Sequence, residues 1–134
     1  MIKLLVYGSL RQGMPLLEAF KRKRHKIIIV KENIKIGGYK MYDMMHYYPI
    51  ILESEYTEDY IICDIIKIDQ DTYQTIRLIE LSSGYIEKQK HEDLIIFEYN
   101  PKNYLSSHCE LIKDGDWIKY FNNLQHKTKY LYNY

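Results

Sequence analysis

Two features of this sequence have residue types and spacing suited to chemistry. One is a glycine-flanked turn at the end of an apolar run, and the other is a carboxylate on the apolar side of a helix. The run Ile2-Lys3-Leu4-Leu5-Val6 stops at Tyr7-Gly8-Ser9-Leu10, and Arg11-Gln12-Gly13 follows. Gly8 and Gly13 remove side-chain bulk where the chain leaves the strand, so consecutive backbone N–H groups can face outward and hold a carboxylate or phosphate. An ordinary strand-to-loop reversal has the same composition. The second feature lies in the segment Asp71–Leu81, which reads as a helix with Asp69 or Asp71 as its N-cap. At 100° per residue, Tyr73, Ile76 and Glu80 fall within about 60° of one another on the helix wheel. A carboxylate facing the core near a helix C-terminus is opposed by desolvation and by the negative end of the macrodipole. Both raise its pKa toward the range a general acid/base needs at neutral pH. The alternatives are a frayed helix end with Glu80 in water, or a buried pair with a lysine.

Tyr85 follows the helix-ending turn Ser82-Ser83-Gly84, and Tyr99 closes the apolar stretch Ile95-Ile96-Phe97-Glu98. Either hydroxyl can orient a substrate, and either ring can simply fill a core edge. His25, His46, His91, His108 and His126 show no ligand spacing, so no metal and no cofactor is expected. Ser9 lacks a nucleophile elbow, and neither Cys63 nor Cys109 sits in a nucleophile motif, which argues against covalent catalysis. The run Lys21-Arg22-Lys23-Arg24-His25-Lys26 carries five fixed positive charges in six residues. With interspersed tyrosines it suggests an RNA surface. The remaining chain is acidic enough to bring the net charge to +1, so a solvated face is the expectation and no nucleic-acid partner is expected.

These groups need a scaffold, and 134 residues suffice for one domain with one core. Strands are expected at Ile2–Tyr7, Ile27–Val30, Tyr39–Tyr42, Pro49–Leu52, Ile61–Ile68 and Leu94–Tyr99, with a short helix after Pro15 and a turn or bulge at Gly37-Gly38. Many short strands with two helices predict an α+β domain on a small, mixed, barrel-like sheet with flanking helices. The domain is expected to span residues 1–121, with 122–134 a polar, tyrosine-rich tail. Two distant cysteines and no leader or apolar run of about 18 residues predict reduced thiols, a cytoplasmic location and no membrane partner. The 15 tyrosines against 3 phenylalanines read as codon bias.

Taken in order, these landmarks resemble the γ-glutamylcyclotransferase-like superfamily. Val6-Tyr7-Gly8-Ser9-Leu10-Arg11-Gln12-Gly13 is similar to its opening signature. Gly38-Tyr39-Lys40-Met41-Tyr42 with Tyr48-Pro49-Ile50 is similar to its middle segment, and Ile65–Asp69 to the strand entering its catalytic helix. Glu80 stands where that family places its acid/base glutamate, and Lys113-Asp114-Gly115-Asp116-Trp117 resembles a Gly-Asp-Trp element of small bacterial members. The resemblance implies a mixed β-barrel, a γ-glutamyl group held by the loop Tyr7, Gly8, Ser9 and Leu10, and Glu80 moving protons; Tyr85 and Tyr99 remain substrate-binding candidates on their own residue chemistry. It further implies a small γ-glutamyl amine or amino acid as substrate, converted without cofactor to 5-oxoproline and a free amine. The sequence departs from the family with Cys63-Asp64 in place of Gly-Glu, with Arg77-Leu78 where an acidic residue often precedes the glutamate, and in the length of the Leu81–Tyr85 loop. An inward-turned Arg77 would lower the pKa of Glu80. A family-fold binding module for a small carboxylate, or for RNA through Lys21–Lys26, is the alternative. Oligomeric state has no signal in the sequence.

Overall fold

The computed structural model describes residues 1–45, 48–90 and 93–132, with side chains described as far as residue 124. Eight strands and three helices form a mixed α+β fold. The strands are β1 (Ile2–Val6), β2 (Ile27–Gly37), β3 (Tyr39–Met44), β4 (Tyr48–Glu53), β5 (Tyr60–Ile68), β6 (Tyr85–Lys90), β7 (Leu94–Tyr99) and β8 (Cys109–Ile112). The helices are α1 (Pro15–Arg22), α2 (Gln70–Ser82) and α3 (Trp117–Tyr132).

A five-stranded sheet runs in the order β2-β5-β1-β7-β6, and a three-stranded sheet in the order β4-β3-β8. The expected barrel-like sheet is therefore split. Among the described residues the two sheets curl around one core, and no ladder closes the barrel. The chain passes from one sheet to the other at Gly37-Gly38. There Gly38 has φ +84°, and a Cβ on Gly37 would stand 2.8 Å from the Thr57 carbonyl oxygen. That close approach is why the corner is built from glycine.

β1 is the central strand. It pairs antiparallel with β5, from Ile2 opposite Ile68 to Val6 opposite Asp64, and parallel with β7. Covered on both faces, it buries Leu4, Leu5 and Val6 in succession, which accounts for a continuous apolar run instead of an alternating one. Its C-terminal end delivers the Tyr7–Leu10 turn at the rim of the core.

β5 leads straight into α2, whose N-cap is Asp69; its carboxylate accepts from Thr72 N–H at 2.9 Å. Thr72, Tyr73 and Ile76 point inward. Gly84, at φ +93°, ends the reversal that starts β6, and β6 pairs with β7 with Tyr85 opposite Tyr99.

The C-terminal Gly-Asp-Trp element has a three-part structural role. Gly115 lies against β5 so closely that a Cβ would come 2.3 Å from the Tyr60 carbonyl oxygen, and its own carbonyl accepts from Ile62 N–H at 2.9 Å. Asp116 begins α3 and reaches Arg11. Trp117 enters the core at 2% exposure. α3 then continues through the residues expected to form a tail, as far as Tyr132.

Candidate active site

A cavity of about 410 Å³ opens between the end of β1, the end of α2 and the start of β4. Tyr7, Gly8, Ser9 and Leu10 form one wall, Ile79, Glu80 and Ser83 another, and Tyr48, Pro49 and Tyr85 a third. Leu4, Leu5, Val6, Leu16 and Phe97 make its floor and sides apolar. The volume lies within the range of small-molecule sites.

The turn is held by its carbonyls. Arg11 N–H donates to Gly8 O at 3.0 Å, and Leu17 N–H, in the first turn of α1, donates to Ser9 O at 3.1 Å. No acceptor among the described residues takes the N–H groups of Ser9 and Leu10, two residues of the cavity wall. Gly8 has a steric role as well, because a Cβ there would sit 2.7 Å from Pro49 Cγ. Both the turn and the start of β4 need that close approach to form the cavity.

Glu80 lies half-buried on the cavity wall. Desolvation alone pushes its carboxyl up from 4.5 to about 7, and no ion pair or hydrogen bond reaches it from the described residues. Arg77 does not turn inward. Its Nε donates to Glu87 Oε2 at 3.1 Å on the outer side, and Tyr73 Oη donates to the other oxygen of the same carboxylate. Glu98, a buried carboxylate, provides a contrast. It accepts from Tyr39 Oη at 2.5 Å, and Lys88 Nζ lies 3.1 Å and Lys90 Nζ 3.7 Å from its oxygens. Glu98 is compensated as a structural group, whereas Glu80 is left as a poised one.

Tyr7 and Tyr85 both line the cavity, and both hydroxyl protons are committed to backbone carbonyls. Tyr7 Oη donates to Phe97 O at 2.5 Å, and Tyr85 Oη donates to Pro49 O at 2.6 Å. Burial, together with the nearby Glu80, raises the pKa of each phenol well above its ordinary value, so both remain neutral. Tyr99 does not reach the cavity wall. Its ring packs edge-on against Tyr85 at 5.4 Å and stands 3.3 Å from where a Cβ on Gly84 would lie. It supports Tyr85 from the core.

Sequence reasoning missed the residue that fixes the turn. Arg11 is only 1% exposed; its Nε lies 3.4 Å from Asp64 Oδ1, and its other nitrogens donate to Asp116 Oδ1 at 2.9 Å and Asn33 Oδ1 at 2.6 Å. Asp64, at the family's Gly-Glu position, also accepts from Gln12 N–H at 2.8 Å and Asn33 N–H at 2.9 Å. The shorter carboxylate therefore anchors the loop. The clue was an arginine within an otherwise uncharged turn, but its partners lie 22 to 105 residues away.

The basic run forms the exposed end of α1 and the turn after it. Arg22, Lys23, Arg24 and Lys26 face solvent, while Lys21 bonds Gln12 and lies 3.8 Å from Glu18. His25 packs on Phe20 and bonds Thr72 through Nδ1. None of these residues lines the cavity. Among the described residues no three His, Cys, Asp or Glu side chains cluster to hold a metal, and no helix is long and apolar enough to cross a membrane. His46 and His91 lie outside the described residues.

A mixed α+β core with a cavity whose wall carries an acid and backbone N–H groups that have no partner among the described residues defines the general class. The particular family follows from sequence: the chain belongs to the gamma-glutamyl cyclotransferase, AIG2-like family, whose sequence profile matches residues 4–119. Solved structures share the fold. An uncharacterized protein from Pyrococcus horikoshii is 23% identical with TM-score 0.67, over 98% of this chain and 99% of that one. A uropathogenic E. coli-specific protein is 17% identical with TM-score 0.71, over 90% and 95%. An allophanate hydrolase from Kluyveromyces lactis is 16% identical with TM-score 0.75, the match covering 92% of this chain but 21% of that one. A search of curated proteins finds no match.

Proposed function

We propose that this protein is a cofactor-free γ-glutamyl cyclotransferase that converts a γ-glutamyl amine or γ-glutamyl amino acid to 5-oxoproline and the free amine. The observation that carries this reading is the placement of Glu80, whose carboxyl is raised to about 7 at the wall of a cavity bounded by the Tyr7–Leu10 turn. Family membership supports it.

The substrate supplies its own nucleophile. Its α-ammonium gives a proton to Glu80, and the freed amine attacks the γ-carbonyl carbon. A C–N bond forms to close the lactam, and the original γ-amide C–N bond breaks. Glu80 passes that proton to the departing nitrogen and then takes the second proton that the ring nitrogen must lose to become a neutral lactam; this proton goes on to the released amine, which leaves as an ammonium, so the carboxylate ends as it began. An acid whose pKa lies near 7 can both accept and return that proton. Backbone N–H groups of Ser9 and Leu10 serve the α-carboxylate or the developing oxyanion. Walls that curl the γ-glutamyl chain convert proximity into several kcal/mol of barrier lowering.

The test is 5-oxoproline release from a panel of γ-glutamyl amines and dipeptides, with the native protein and Glu80→Gln in parallel. Release by the native protein and loss in the variant is the expected result. Equal release by both removes Glu80 from the mechanism. No release by either, with a γ-glutamyl compound still raising the native melting temperature, leaves a binding module.

A further inference from the structure

We propose that the basic turn after α1, together with the exposed aliphatic side chains at the start of β2, docks the protein on an anionic lipid bilayer. This does not depend on the γ-glutamyl reading, because none of these residues lines the cavity.

The turn is a complete Schellman motif. Its two closing bonds run from His25 N–H to Phe20 O at 3.2 Å and from Arg24 N–H to Lys21 O at 3.0 Å. The apolar contact that accompanies such a motif is the edge-on packing of the His25 and Phe20 rings at 4.9 Å. His25 is pinned again through Nδ1, 2.9 Å from Thr72 Oγ1. The residue that reverses the chain in this motif is left-handed and usually glycine. Here it is Arg24, at φ +63°. A long side chain in that conformation carries strain that glycine would avoid, and strain kept in a well-fixed turn points to a use for the side chain.

The charges of the turn are not neutralised locally. Arg22, Lys23, Arg24 and Lys26 are exposed, and none forms an ion pair among the described residues. Asp69 is held at the α2 N-cap by Thr72 and senses Lys26 only as a secondary charge. The helix dipole accounts for cations in the last turn, as at Lys21 and Arg22, but not for those beyond it. Lys67, opposite Ile28 in the β2–β5 ladder, shares its face and adds a further cation. The near-zero charge of the whole chain therefore conceals a local excess.

Ile28 and Val30 follow the run at 52% and 41% exposure, on an edge strand of the five-stranded sheet. A nucleic acid would meet the cations but leave these side chains in water, and residues 21–31 hold no phenylalanine, tyrosine or tryptophan on which a base could stack. An anionic bilayer takes both features. Its headgroups pair with the cations, and the aliphatic side chains enter the interface beneath them. The contact is peripheral and needs no spanning segment.

The experiment is co-sedimentation of the full chain with vesicles of phosphatidylcholine, with and without phosphatidylglycerol, at low salt and at about 0.15 M. The native protein should bind the anionic vesicles and not the neutral ones, and more weakly at the higher salt. Lys23→Gln with Arg24→Gln should weaken binding about thirtyfold, at about fivefold per cation. Ile28→Gln should weaken it about fivefold with the salt dependence unchanged, which a purely electrostatic contact does not predict. Arg24→Gly separates binding from folding: with the left-handed strain relieved, the melting temperature should hold or rise while binding falls about fivefold. Equal sedimentation with neutral and anionic vesicles, no sedimentation with either, or binding untouched by the double variant overturns the proposal. So does tighter binding of a single-stranded RNA that Ile28→Gln leaves unchanged, which would make the run a nucleic-acid surface.

Discussion

Replacing Glu80 by glutamine removes a charge that the fold opposes, so the variant should become more stable as it loses activity. In the native protein the carboxyl titrates near 7 against an ordinary 4.5. Its folded pKa is raised, so the native state binds more protons than the unfolded state between those values, and stability falls as pH climbs through that window. Below about 4.5 both states are protonated and no penalty exists; above about 7 it is complete. At 1.36 kcal/mol per pH unit the full effect is at most about 3 kcal/mol, and partial exposure brings the expectation to about 2 kcal/mol. For 134 residues, an unfolding entropy of about 2.1 cal/mol/K per residue converts this to a melting temperature higher by about 7 °C. Thermal denaturation of Glu80→Gln and native protein at pH 4 and pH 8.5 measures it. A gain at pH 8.5 that vanishes at pH 4 is expected. An equal change at both pH values, or a loss at pH 8.5, refutes the claim that an ionised Glu80 is held against its solvation.

The loop anchor predicts that Asp64→Asn, which leaves the buried Arg11 charge to Asp116 alone and turns an acceptor into a donor facing Gln12 or Asn33 N–H, costs about 3–5 kcal/mol by denaturant titration. A loss below about 1 kcal/mol would make the network incidental. Gly115→Ala forces a Cβ to within 2.3 Å of the Tyr60 carbonyl, so soluble yield and melting temperature should both fall sharply. Gly8→Ala meets the Pro49 ring, Cγ at 2.7 Å and Cδ at 3.4 Å; its fold should survive on circular dichroism while 5-oxoproline release drops. Reversing Lys23 and Arg24 to glutamate, outside the cavity, should leave release unchanged.

Legibility in the sequence followed how local each determinant is. β1 and its turn could be read because a buried strand and its glycines are contiguous, and Asp69 and Glu80 because a cap and a helical stripe are short-range patterns. β2 was expected only over Ile27–Val30, since Lys31-Glu32-Asn33 looks like a loop. The strand in fact continues through register shifts between Ile29 and Ile34, with Asn33 at φ +56°, and that irregularity sets Asn33 N–H on Asp64. β6 went unread because Tyr85–Lys90 is mostly polar; pairing with β7 and the lysine contacts to Glu98 make it a strand. β8 and α3 were likewise missed. α3 has weak local propensity, and Trp117 in the core holds its start. The place of Tyr99 on a strand end suggests a cavity residue and says nothing of the Tyr85 ring beside it, which lines the cavity where Tyr99 does not.

The Arg11–Asp116 bond joins residues 105 positions apart, which bears on how the protein is made. Synthesis at about 5–20 residues per second leaves the Tyr7–Gly13 loop without its third anchor for several seconds after it emerges. Until Asp116 has left the ribosome, the guanidinium has Asp64 and Asn33 as partners but lacks its shorter carboxylate contact, at 2.9 Å. A nascent or truncated chain ending before that residue would hold Glu80 and the Asp64 contacts of the loop, yet lack the Asp116 contact. The last anchor of the loop thus arrives with the last part of the fold, and a partial product holds that wall by fewer bonds.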